Sequence, residues 1–64
     1  MRLTEFWERM DDALGAGYAE YWADTHVVAE LGGRTVAQAL ADGEDAYHVW
    51  RAVFHTLRLP PTKR

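Results

Sequence analysis

The sequence predicts an all-α fold, a small orthogonal bundle of three to four short helices whose last two form a helix-turn-helix-like pair. Three observations carry that prediction. Apolar residues recur at spacings of three and four in several stretches, glycines and a proline pair separate those stretches, and no run alternates apolar with polar residues at the period of a strand.

The first helix is read from Leu3, Phe6, Trp7, Met10 and Leu14, which lie on one face of a helix. Thr4 is the expected N-cap, Glu5 complements the helix macrodipole, and Gly15 and Gly17 supply the stop. A second helix is expected from Tyr18 to Leu31 on the pattern Tyr18, Tyr21, Trp22, Thr25, Val28 and Ala29, ending at Gly32 and Gly33. Thr25, His26, Val27 and Val28 are poor helix formers, so a bend or break is expected there. Thr35 and Gln38 stand three apart as a capping box, predicting a short third helix to about Ala41. Gly43 can take the left-handed conformation that ends it, and Asp45 can cap a fourth helix. That helix presents Ala46, Val49, Trp50, Val53 and Leu57 on one face, and Pro60 and Pro61 are expected to terminate it. No strand is expected. The predicted core comprises Phe6, Trp7, Met10, Tyr21, Trp22, Val28, Leu40, Val49, Trp50 and Val53.

A chain of 64 residues has room for one core. The organisation expected is a single helical domain over residues 1–59 and a basic flexible tail over 60–64. Short chains bury a small share of their surface and commonly rely on disulfides or metals, but this one has no cysteine. Three Trp, three Tyr and two Phe provide the alternative, since each buries roughly 150 to 250 Å². Four acidic residues interrupt the first twelve, which is unlike a secretory signal, and no apolar run reaches the roughly 18 residues of a membrane span. A cytoplasmic protein without membrane contact is the expectation.

The formal net charge of −3 conceals a division along the chain. Residues 1–45 hold all ten acidic residues against Arg2, Arg9 and Arg34, a net −7, while residues 46–64 hold no acid and carry Arg51, Arg58, Lys63 and Arg64, a net +4. Either the two parts attract one another within the fold, or the basic end faces a polyanion.

The residues available for chemistry argue against an enzyme. Serine and cysteine are absent, and the five threonines sit in no activating motif. His26 and Glu30 could share a helix face as two metal ligands, but a site needs three or four such groups, so surface histidines are the simpler reading. Asp11–Asp12 and Glu44–Asp45 read as a solvated helix end and a capping turn. No catalytic residue, metal or cofactor is expected. Gly32-Gly33-Arg34-Thr35 could hold an anion through backbone N–H groups, although a turn between helices would use the same glycines.

Thr35 to Phe54 resembles a DNA-binding helix-turn-helix, with Ala39, Gly43 and Val49 at the small, glycine and apolar positions of that motif. In that reading residues 46–57 form the recognition helix and Tyr47, His48 and Arg51 face the groove. Glu44 and Asp45 at its start would meet phosphates, which opposes it.

Three strings are similar to those of a small actinobacterial protein family of unknown function: residues 1–10, MRLTEFWERM; residues 26–40, HVVAELGGRTVAQAL; and residues 49–53, VWRAV. The resemblance covers nearly the whole chain up to Pro60. It implies no activity and no site residues, and only that the genes of its members can lie close to those of the recombinase RecA and its regulator RecX. The function expected is therefore a non-catalytic module that binds another protein, with a nucleic-acid-binding helix-turn-helix as the alternative. Arg34, Tyr47, His48, Arg51 and Arg58 are the candidate binding surface in either case. The partner and the oligomeric state are not legible in the sequence.

Overall fold

The computed structural model describes residues 1–60. Four helices carry the fold: α1 (Leu3–Leu14), α2 (Tyr18–Thr25), α3 (Val36–Ala41) and α4 (Ala46–Leu57). Between α2 and α3 runs a minimal antiparallel hairpin, β1 (Val27–Val28) and β2 (Arg34–Thr35), joined through a 3₁₀ turn at Ala29–Leu31. Helix α1 packs on α2 and α4, and α3 packs on the same two helices. Among the described residues, no helix is long and apolar enough to cross a membrane.

The first helix begins two residues earlier than the sequence implies. Arg2 is its extended N-cap, the Arg2 carbonyl accepts from the Phe6 N–H at 3.0 Å, and Thr4 lies inside the helix rather than capping it. Phe6 and Met10 are completely buried, Trp7 and Leu14 are half-buried, and Leu3 is exposed. Gly15, at φ 96°, turns the chain back so that α2 lies against α1.

The second helix stops at Thr25, at the start of the run of poor helix formers. The Thr25 hydroxyl donates to the Tyr21 carbonyl at 2.7 Å, and His26 already has extended backbone. The chain then pairs Val27 with Thr35 and Val28 with Arg34, which corrects the expectation of a helix to Leu31 and of no strand at all. Two β-branched residues followed by a 3₁₀ turn and two glycines favour this arrangement over helix propagation. The strand β1 and the turn carry Val28 and Leu31 into the core, 0% and 1% exposed.

Helix α3 has the expected capping box. The Gln38 N–H donates to the Thr35 hydroxyl at 3.1 Å, and the Thr35 N–H donates to the Gln38 side-chain carbonyl at 2.9 Å. At its other end the Gly43 N–H reaches the Leu40 carbonyl and the Glu44 N–H the Ala39 carbonyl, the paired bonds of a Schellman motif, with Gly43 at φ 92°. Asp45 then caps α4 by accepting from the Tyr47 and His48 N–H groups.

Helix α4 ends in the same way, but without glycine. The Arg58 N–H donates to the His55 carbonyl and the Leu59 N–H to the Phe54 carbonyl, while Arg58 itself is left-handed at φ 53°. The helix thus stops at Leu57, with Arg58 as its C-cap two residues before Pro60, a place where proline commonly follows a helix end. Pro61 and the rest of the anticipated tail lie outside the described residues. A side chain in the left-handed region is disfavoured by about 1 to 2 kcal/mol, and glycine gives back part of that through its looser unfolded chain. Arg58→Gly is expected to stabilise the domain by about 0.5 to 1 kcal/mol. Denaturant unfolding checks this, and a lower midpoint in the variant would show that the arginine side chain holds the helix end.

The core consists of Phe6, Met10, Ala19, Trp22, Ala23, Val28, Leu31, Val36, Ala39, Val49, Trp50, Ala52 and Val53. Seven of the ten predicted members are in it. Trp7 and Leu40 are half-buried at its edge, and Tyr21 is 63% exposed beside Tyr18, so it is not a core residue.

Candidate interaction surface on the fourth helix

Helix α4 buries Val49, Trp50, Ala52 and Val53, leaving Tyr47, His48, Arg51 and His55 on its outer side. Tyr47, Trp50, Arg51, Phe54 and His55 recur at spacings of three and four, so they form a row along the helix. Arg9 of α1 closes that row on the far side. Together these six residues line a groove of about 310 Å³. Its floor is aromatic: Trp50 meets Phe54 edge to face at 6.4 Å, and Phe54 meets the His55 ring at 5.9 Å. Trp50 is 2% exposed and is held from beneath by Phe6, whose ring centroid lies 6.5 Å away in a T-shaped contact. The floor is therefore fixed by the core.

A second concavity of about 270 Å³ lies on the other flank of Arg51, lined by Glu30, His48, Arg51, Ala52 and His55. There the His55 ring nitrogen stands 3.4 Å from the Glu30 carboxylate. Glu30 belongs to the 3₁₀ turn, so His26 and Glu30 do not share a helix face. His26 instead stacks on Trp22 at 4.6 Å.

The five sequence-predicted binding residues do not all lie in one place. Tyr47 and Arg51 meet in the groove, and His48 flanks Arg51 in the neighbouring concavity. Arg34 is drawn into the fold: its Nε donates to the Leu31 carbonyl at 2.7 Å, and its terminal nitrogens lie 3.0 Å from Asp42 and 3.4 Å from Glu44. His48 also reaches Glu44 at 3.4 Å. Arg58 sits at the far end of α4 as its left-handed terminator. Contacts between the acidic first part of the chain and its last part run through His48–Glu44 and His55–Glu30, each at 3.4 Å.

The anion reading of Gly32 to Thr35 fails on geometry. The Gly32 N–H donates to the Ala29 carbonyl, the Gly33 N–H to the Val28 carbonyl and the Thr35 N–H to Gln38, so these donors are already engaged. The groove residues absent from the predicted surface are Arg9, Phe54, His55 and Trp50, the last of which was expected in the core. For Phe54 and His55 the row i, i+3, i+4, i+7, i+8 counted from Tyr47 was the available signal. For Arg9 it was its position three residues after Phe6, at the edge of the first apolar stripe.

The sequence matches, over residues 1–62, the family described as protein of unknown function DUF3046. The chain belongs to that family. This agrees with the resemblance carried by the three strings near its start, middle and end. No curated protein and no solved structure matches the chain. The DUF3046 match spans every element that builds the groove, from Arg9 on α1 to His55 on α4.

Proposed function

We propose that this chain is a small non-catalytic module of the cytoplasm that binds another protein through the outer face of α4. The observation that carries the reading is the groove itself, where a rigid aromatic floor and two arginines share one concave patch. Trp, Tyr and Arg are the residue types most enriched among the few that dominate protein-interface energies. A groove of this volume lies at the lower limit of sites that enclose a small molecule, and its size suits a few side chains of a partner.

The helix-turn-helix reading asks the start of α4 to approach phosphates. That end carries Asp42, Glu44 and Asp45, and the nearby Arg34 and His48 already face those acids. The balance of charge there favours the protein partner.

The test is affinity capture from cytosolic extract on the full chain, with and without nuclease, beside Tyr47→Ala and Arg51→Glu. A defined protein that survives nuclease treatment and falls by about tenfold or more in both variants is the expected result. Submicromolar, sequence-discriminating DNA binding that weakens steeply with salt and with Arg51→Ala would replace this reading with the helix-turn-helix.

A further inference from the structure

We infer that the α1–α4 groove selects an acidic segment of its partner, one that carries an apolar or aromatic side chain between carboxylates. The inference rests on the interaction-module reading and adds to it the chemistry of the occupant.

The lining of the groove contains no carboxylate, although ten acidic residues stand in a chain of 64. Arg9 and Arg51 enter it from different helices. Among the described residues neither forms an ion pair, whereas Arg34 lies against both Asp42 and Glu44. Arg9 is half-buried between this groove and a further concavity that Glu5, Glu8 and Asp12 line with it. A carboxylate arriving at either arginine forms charge-assisted hydrogen bonds, and the planar guanidinium can make two at once. Between the arginines, the Tyr47 ring, 52% exposed, offers apolar surface to one uncharged side chain.

The surroundings decide between kinds of anion. Glu5, Glu8 and Asp12 flank Arg9 on α1, and Glu44 and Asp45 stand at the start of α4. A long polyanion such as a nucleic acid crossing the face would run over these acids. A short peptide places its charges in the groove and leaves the rim to solvent. Area also argues against a second copy of this chain, because a stable interface takes about 800 Å² per partner. That is about a fifth of the 4132 Å² that the chain exposes, while the groove is lined by six residues.

The test is selection of a random 16-residue peptide library, displayed on phage, against the immobilised full chain. Enriched peptides are resynthesised and titrated into labelled protein while amide resonances are followed. Enrichment of acidic peptides with an aromatic or leucine anchor is expected, with shifts centred on Arg9, Tyr47, Arg51 and His55. Arg9→Glu and Arg51→Glu should each weaken the binding about tenfold. Replacing the acids of the selected peptide with lysine should abolish it. Neutral or basic winners in the groove would overturn the charge inference and leave the interaction reading standing. So would acidic winners that shift resonances elsewhere, or no enrichment while the extract still yields a partner. Groove shifts on titrating oligothymidylate, stronger than those of any peptide, would overturn it in favour of nucleic acid. A concentration-dependent dimer in sedimentation that Arg51→Glu dissociates would overturn it in favour of self-association.

Discussion

Replacing Phe6 with alanine should remove about 3 to 5 kcal/mol of stability. A domain of this length has roughly 3 to 10 kcal/mol in total, so much of the population should unfold at ordinary temperature. The reason is position rather than size alone. Phe6 is fully buried, touches Trp7 edge to face at 5.2 Å and supports Trp50 from below. Its removal therefore opens a cavity under both α1 and α4. Thermal unfolding followed by circular dichroism should show a midpoint lowered by more than about 10 °C, or no cooperative transition. Trp7→Ala is the control: its ring is larger but half-buried, so its loss should be the smaller. Equal losses in the two variants would mean that the ring of Trp7 anchors the core as much as that of Phe6.

The second large effect is expected at Leu31, a residue outside every helix. Leu31→Ala should destabilise by about 2 to 5 kcal/mol, as for a core leucine. Its side chain is 1% exposed, placed in the core by the 3₁₀ turn between the two short strands. Its carbonyl is held by Arg34, which in turn spans Asp42 and Glu44 at the start of the turn into α4. Denaturant unfolding should show the lost stability. A loss below about 1 kcal/mol would mean that the hairpin is a surface connector and that the four helices close without it.

These two residues also mark what the sequence could tell. Phe6 was legible because helix periodicity alone puts it inside: it stands three after Leu3, four before Met10 and beside Trp7 on a stripe that only a helix explains. The caps at Thr35 and Asp45 were legible for a similar reason, since both depend on residues two or three positions away. The hairpin was not. Two strands of two residues give no alternating pattern, and Val28, Ala29 and Leu31 fit a helical stripe as well as they fit a turn. Tyr21 was misplaced by the same ambiguity. With α2 ending at Thr25, its buried face is Ala19, Trp22 and Ala23, which turns Tyr18 and Tyr21 outward.

The candidate site was legible only along α4. Tyr47, His48 and Arg51 are local to one helix, and their outward direction follows from the buried face. That Arg34 would fold back onto Asp42 and Glu44, and that Arg9 would meet Arg51 across a groove, depends on how separate elements pack. Spacing along the chain carries no information about such contacts. Arg58 was a different case: a cation near a helix end suggests a ligand contact, while its backbone is what the fold uses.

The unequal placement of charge has a consequence for how the molecule is approached in solution. At physiological ionic strength the electrostatic screening length is about 8 Å. The molecule measures 27 × 22 × 20 Å, so it is close to three screening lengths across and its opposite ends are electrically almost independent. An incoming molecule thus responds to the charges near its point of contact, and the isoelectric point of about 5.4 describes a sum that no ligand experiences. In dilute buffer the screening length grows to about 30 Å at 0.01 M, exceeding the whole molecule. The net −3 then governs encounter, and an acidic visitor is slowed on its way to two arginines that would hold it.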